Sequence, residues 1–251
     1  MATFTVTTLT DGPRVGSAYA DGELSLREAI ELSNESTGAD QIAFAPELAG
    51  VVTLTEGVLR VTGDLTIAGG GLITISGDTN GDDVLTAEGL TDLSATAAAE
   101  LDDNTQIILA SRSLTLEGVT LTGGRTTANS QGGGAFRAGD VTLTDSVIAG
   151  NSTTGSNSSG GGFSASGNVT ITDSTISGNM TEGSSARGGG VYGVYADIQI
   201  LNSTITGNST LGVNATGGGV YALDGELIIE NSIILGNVAQ QADHDASGVI
   251  V

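Results

Sequence analysis

Between Val141 and Asn237 one order of apolar and polar positions is written four times: VTLTDSVIAGN, VTITDSTISGN, IQILNSTITGN and LIIENSIILGN. The copies begin at Val141, Val169, Ile198 and Leu227, so the steps are 28, 29 and 29 residues; a looser copy, LTLEGVTLTGG, starts 27 residues earlier at Leu114. Within each copy the apolar residues alternate, Val141 with Leu143, Val169 with Ile171, Ile198 with Ile200 and Leu227 with Ile229, while Thr142, Thr170 and Gln199 take the intervening places. Period two means a strand with one buried face. After a bend at Asp145, Asp173, Asn202 and Asn231, a second strand turns Ile148, Ile176, Ile205 and Ile234 inward and stops at a Gly-Asn pair. The runs that follow Gly132–Gly134, Gly160–Gly162, Gly188–Gly190 and Gly217–Gly219 supply a third side. Short strands repeated at this period predict an all-β fold, a parallel β-helix in which each coil buries its core against the next.

Coils of such a solenoid lie about 4.8 Å apart, so equivalent residues stack along the axis. Asn151, Asn179, Asn208 and Asn237 then form one column. Asn tolerates a left-handed corner, and its amide both donates and accepts along the stack, which predicts a structural ladder. The same residues create glycosylation sequons at Asn151, Asn179 and Asn208, which the corner geometry explains better than modification does.

Upstream, Thr3–Thr8 reads as a strand and Asp11–Asp21 as a polar loop. Ser25 with Glu28 makes a capping box, and Leu26, Ala29, Ile30 and Leu32 give the apolar stripe of a helix over Leu26–Ser33. An open solenoid end needs a cover, so this helix reads as a lid, with capping and an ion pair as the roles of Glu28 and Arg27. The division that follows is a cap over 1–50 and coils over 51–251, as one domain. The grammar breaks near 88–105, where GLTDLSATAAAELDDN predicts an insertion with a short helix near Thr96–Leu101. The closing VAQQADHDASGVIV stops inside a coil, so a continuation into further coils is expected.

These residues resemble a known group. NSTISGN-type coils separated by glycine triplets and an aliphatic-aromatic pair look like the right-handed parallel β-helix repeats of large bacterial surface and secreted proteins, including the polymorphic outer-membrane protein type. DGELSLREAI at Asp21–Ile30 resembles the CSLREA module that begins many such helices, with Leu24 where that motif has Cys. The resemblance implies right-handed coils, an extracellular or cell-surface location, and a role as adhesin, passenger scaffold or spacer. It also leaves a polysaccharide-active β-helix enzyme, a lyase, hydrolase or epimerase, as the alternative.

Charge narrows the partners. There are 29 acidic residues against 7 basic ones, every one of them Arg, for a net charge of −22. Phosphate backbones and anionic membranes are repelled, whereas cations, and glycans of a host or neighbouring cell surface, remain as partners of a module expected to be monomeric. No Cys is present, so neither disulfides nor thiol chemistry enter. The first ten residues lack a signal-peptide pattern, and no apolar run of about 20 residues occurs, so no membrane-spanning helix is expected.

Three constellations carry candidate chemistry. Asp78, Asn80, Asp82 and Asp83 follow the D-x-N-x-D spacing of calcium loops, with Gly81 permitting the turn. The residues just before each first strand, Asp64, Ser113, Asp140, Asn168, Asp197 and Glu226, form a mainly acidic column; Asp140 and Asp197 lie two coils apart, near the separation an inverting glycosidase uses. Turn-forming Asp and Asn before a strand explain the same column without catalysis. Phe136, Tyr192 and Tyr221 follow the glycine triplets by two residues on the outward phase, with Phe163 inward, and suggest glycan stacking. His244, between Asp243 and Asp245, is a candidate base or metal ligand at a frayed end. A pectate-type lyase also needs a basic proton abstractor beside calcium; Lys is absent, and Arg112, Arg125, Arg137 and Arg187 fall on non-equivalent corners.

Overall fold

A computed structural model describes residues 1–12, 22–80, 104–241 and 245–250. The alternation read from the sequence becomes burial: in Val141–Thr144, Val169–Thr172 and Ile198–Leu201 the first and third residues are inside and the second and fourth are not. These strands pair in parallel, with Val141 opposite Leu114 on one side and Val169 on the other, and the register continues to Ile198 and Leu227. Each strand's partner is therefore the same strand one coil on, which makes the fold a parallel β-helix, and it runs for about six turns.

Three faces wind around one core. The first face comprises Leu59–Val61, Ile108–Ala110, Phe136–Ala138, Phe163–Ala165, Val191–Val194 and the start of Val220–Glu230. The second carries the Val141 column, and the third carries Val147–Ala149, Thr175–Ser177, Thr204–Thr206 and Ile233–Leu235. A fourth ladder, only two residues wide, follows each Gly-Asn corner: Arg125–Thr126, Ser152–Thr153, Met180–Thr181, Ser209–Thr210 and Val238–Ala239. Strands of two residues are too short for alternation to show, so the three-sided reading missed this ladder. Inside, Ile148, Ile176 and Ile205 are fully buried, and each such side chain contributes roughly 1.5–3 kcal/mol. The core thus grows coil by coil.

One local expectation changes. The bend residues Asp145, Asp173, Asn202 and Asn231 are the left-handed ones, with φ of 49°, 49°, 50° and 49°. At the asparagine column the preceding glycines carry the positive φ, 65° at Gly150, 61° at Gly178, 65° at Gly207 and 75° at Gly236. Gly adopts this conformation without a Cβ penalty, so the asparagines are freed to point their amides along the stack. One coil is also longer than the rest, because Leu65 pairs with Leu114. The chain leaves that coil at Gly77, whose carbonyl accepts from Thr105 N–H at 2.9 Å, so both ends of the excursion are tied together. The insertion expected near 88–105, with its short helix, falls almost wholly in 81–103, outside the described residues.

The helix forms over Leu26–Glu35 with the capping box in place, Ser25 Oγ accepting from Glu28 N–H and Glu28 Oε2 accepting from Ser25 N–H. Leu26, Ala29 and Ile30 are buried over the upper end of the core, against Leu59–Val61 and Thr3–Val6. Arg27 grips Asp11 in a bidentate pair, Nε to Oδ1 at 2.8 Å and Nη2 to Oδ2 at 2.9 Å. The strands Thr3–Val6 and Asp40–Phe44 join the second-face ladder through Leu65–Ala68.

Candidate functional site

The asparagine column lies inside the wall of the solenoid, at 1% exposure for Asn151 and 0% for Asn179 and Asn208. Each Nδ2 donates to the next Oδ1 at 2.9 Å, from Asn151 to Asn179, Asn208 and Asn237 in turn, and each Oδ1 also accepts the previous backbone N–H at 3.0 Å. The second Nδ2 hydrogen reaches a carbonyl of the preceding coil, such as Ile148 O from Asn179 at 2.9 Å. Every donor and acceptor of these amides is used, and burial also keeps the three sequon asparagines from a glycosylating enzyme. The column ends on Asp245, whose Oδ1 accepts both Asn237 N–H at 3.0 Å and Asn237 Nδ2 at 3.1 Å.

A second interior ladder went unread. Ser146, Ser174, Ser203 and Ser232 each follow the left-handed bend residue and donate Oγ–H to a carbonyl two residues back; the Oγ atoms of Ser174, Ser203 and Ser232 accept the backbone N–H of the serine one coil up at 3.0–3.1 Å, and Ser146 Oγ accepts Val119 N–H at 3.3 Å. The signal was present in the repeated Asp-Ser and Asn-Ser pairs.

The acidic column does stack. Asp64 Oδ1 accepts from Ser113 N–H at 3.2 Å, Asp140 Oδ1 from Asn168 N–H at 2.8 Å, Asn168 Oδ1 from Asp197 N–H at 3.2 Å and Asp197 Oδ1 from Glu226 N–H at 3.0 Å. Ser113 Oγ donates to Asp140 Oδ2 at 3.4 Å. Asp140 and Asp197 are exposed on the outer surface, two coil spacings or about 10 Å apart, with Asn168 doing the same job between them. The arrangement stitches one coil to the next through side-chain acceptors.

The aromatic row is corrected at one member. Phe136 is fully buried and stacks on Phe163, with ring centroids 4.6 Å apart and planes 6° from parallel. The left-handed glycine that sets the phase is Gly133, equivalent to Gly160 and Gly188, so counting from Gly132 put Phe136 one place too far out. The outward row of the first face is instead Arg60, Leu109, Arg137, Ser164, Tyr192 and Tyr221. Tyr192 and Tyr221 do face outward, half-buried, with ring centroids 6.2 Å apart. Arg187 lies over the Tyr221 ring, 5.5 Å from its centroid; burial pushes the Tyr192 hydroxyl's pKa up, and the nearby Arg187 pulls it part of the way back.

Beside this row stands a wall of loops. Their left-handed tips are Ser130, Asn157, Ser185 and Asn214, and they are tied coil to coil by Ser130 N–H to Ser156 O at 2.8 Å, Asn157 N–H to Ser184 O at 2.9 Å and Ser185 N–H to Val213 O at 2.8 Å. Between wall and row lies an open pocket of about 130 Å³, lined by Ser130, Asn157, Ser159, Ser164, Arg137 and Tyr192 among others.

Elsewhere the candidates separate. Asp78 is buried, with its N–H donating to Ser76 Oγ at 3.2 Å, and Asn80 is exposed, whereas Asp82 and Asp83 lie outside the described residues, as does His244. Among the described residues no three His, Cys, Asp or Glu side chains converge on a metal position. Nor, among them, is any helix long and apolar enough to cross a membrane. Arg27 and Glu28 serve the lid.

A family model described as a right handed beta helix region matches residues 91–251. No curated protein matches the chain.

Proposed function

The chain belongs to the right-handed β-helix family, and on that premise we propose that it is a non-catalytic, surface-binding module of a secreted or cell-surface bacterial protein, acting as an adhesin or passenger scaffold. One observation carries this reading: the acidic column, the place where a β-helix could hold paired carboxylates, spends Asp64, Asp140 and Asp197 on backbone N–H groups of the adjacent coil. Asn168 takes the same place with the same bond, so the position asks for an acceptor rather than for a titrating acid. The Leu24–Ile30 segment and its helix act in this reading as the CSLREA-like cap that opens the module.

The opposing reading, a polysaccharide-active enzyme, draws on the spacing of Asp140 and Asp197. Incubation with a panel of acidic and neutral glycans decides between them, followed by reducing-end release and by absorbance of unsaturated products. No turnover is expected. Turnover that disappears in Asp140→Asn or Asp197→Asn would replace this proposal with the enzyme.

A further inference from the structure

We propose that the groove between the outward row of the first face and the stacked loop wall binds a short saccharide carrying one carboxylate, laid along the coil axis. The inference rests on the reading of a surface-binding module and names its ligand class. It begins with charge. The chain holds 7 basic residues against 29 acidic ones, yet Arg60 and Arg137 stand in this one row and Arg187 stands beside it. No Asp or Glu occupies the row over the six coils or lines the pocket. On a molecule of net charge −22, such a stripe is a local reversal of potential, and a reversal of that kind selects an anion. The reversal is narrow. A polyanion would meet the acidic remainder of the surface, whereas a ligand with a single carboxylate would meet only Arg137, an exposed guanidinium able to take it with two parallel N–H donors.

The rest of the groove suits a sugar. Tyr192 and Tyr221 offer aromatic rings and two hydroxyls, their rings pack against each other with centroids 6.2 Å apart, and Arg187 lies over Tyr221, so little side-chain freedom is lost when a ligand settles on them. The opposite wall presents Ser130, Asn157 and Ser159, alternating donors and acceptors of the kind ring hydroxyls pair with. Coil spacing sets the scale. Tyr192 follows Arg137 by two coils and Tyr221 by three, or about 10 and 14 Å, which matches a trisaccharide with its acid at one end.

Titration calorimetry tests this with two single-carboxylate probes, sialyllactose and a trisaccharide ending in glucuronic acid, against lactose as the uncharged match and hexagalacturonate as the polyanion. At least one single-carboxylate probe should bind tenfold or more tightly than both lactose and the polyanion, and binding should weaken as salt is raised. Arg137→Gln should abolish the preference over lactose, Arg137→Lys should restore part of it, and Tyr192→Ala with Tyr221→Ala should weaken charged and uncharged probes alike. Asp140→Asn, on another face, should leave binding unchanged. Equal affinity for lactose, tighter binding of the polyanion, no binding of either probe, or an Arg137→Gln variant that keeps the preference would each overturn the proposal. Melting curves confirm that the variants are folded, and because Arg137 is exposed, its two variants suffice if the tyrosine pair is not. Product analysis of the same mixtures keeps the two readings apart: cleavage would sink the non-catalytic module, while failure to bind without cleavage would sink only the groove.

Discussion

The lid and the coils both bury polar groups, but they satisfy them in opposite ways. In the lid, Asp11 is enclosed with its side chain at 0% exposure, and its Oδ2 accepts from Arg27, Thr55 N–H and Glu56 N–H at once. Arg27 in turn reaches Gly57 O at 2.6 Å. The partners come from the opening loop, the helix and the Thr55–Gly57 turn, and among the described residues this set is not repeated in the coils. In the coils, Asn179 does comparable work with partners that are copies of itself one turn above and below. Repetition lets a neutral amide suffice, because the neighbouring coil supplies a donor and an acceptor in register. The asparagine stack ends above on a backbone group, Gly124 N–H donating to Asn151 Oδ1 at 2.8 Å, and below on the Asp245 carboxylate beneath Asn237. Satisfaction by copies costs no buried charge, whereas satisfaction by a unique pair does.

The difference can be broken most severely at the lid. Asp11→Ala leaves Arg27 and two backbone N–H groups without an acceptor in a buried place, and stability should fall by about 3–5 kcal/mol, read as a drop in thermal midpoint. Replacing both partners, Asp11→Leu with Arg27→Met, should cost less than Asp11→Ala alone, since no orphan charge remains. Next comes the ladder. Asn179→Ala removes the acceptor of Asn151 N–H and a donor to Ile148 O, for about 2–4 kcal/mol, and Asn237→Ala should cost less because only one coil neighbour and Asp245 depend on it.

A smaller effect is expected in acid. Asp40 titrates below its ordinary value, held there first by the Ser36 hydroxyl and then by Ala2 N–H at 2.7 Å. A lowered folded pKa contributes stability above the ordinary value near pH 4 and loses it as pH falls through the folded value. Melting midpoints measured downward from pH 5 should therefore decline more steeply in wild type than in Asp40→Asn. The smallest change belongs to the outer column. Asp140→Asn should alter stability by no more than about 0.5 kcal/mol, because Asn168 already fills the equivalent place with the same hydrogen bond.

The same contrast governs what could be read from the chain. Copies announce themselves: the register of Val141, Val169, Ile198 and Leu227, the asparagine ladder and the stacking of the acidic column follow from repetition alone. The capping box was legible because Ser25 and Glu28 are three residues apart and the motif is local. The Asp11–Arg27 pair was not, since nothing in a polar loop says which of its acids will meet an arginine 16 residues on. Phase errors arose where a copy is imperfect. The glycine triplet Gly132–Gly134 is shifted by one place against Gly160–Gly162, with Ala135 standing opposite Gly162, and this hid which glycine is left-handed, and with it the burial of Phe136 and the outward place of Arg137. The groove beside that row was invisible for a related reason, because its far wall is made of loop tips whose stacking depends on backbone hydrogen bonds rather than on side-chain pattern.

The central claim is that coil-to-coil hydrogen bonding through the buried amides holds the solenoid. Backbone hydrogen exchange followed by mass spectrometry reads it directly. The N–H groups of Asn151, Asn179 and Asn208 each donate to the next asparagine Oδ1, so peptides covering these corners should be among the slowest to exchange, and Asn179→Ala should speed exchange at Asn151 more than at the loop tip near Asn157. Corners that exchange as fast as the loop tips in the wild-type protein, or an Asn179→Ala variant that leaves the Asn151 corner protected, would contradict the account.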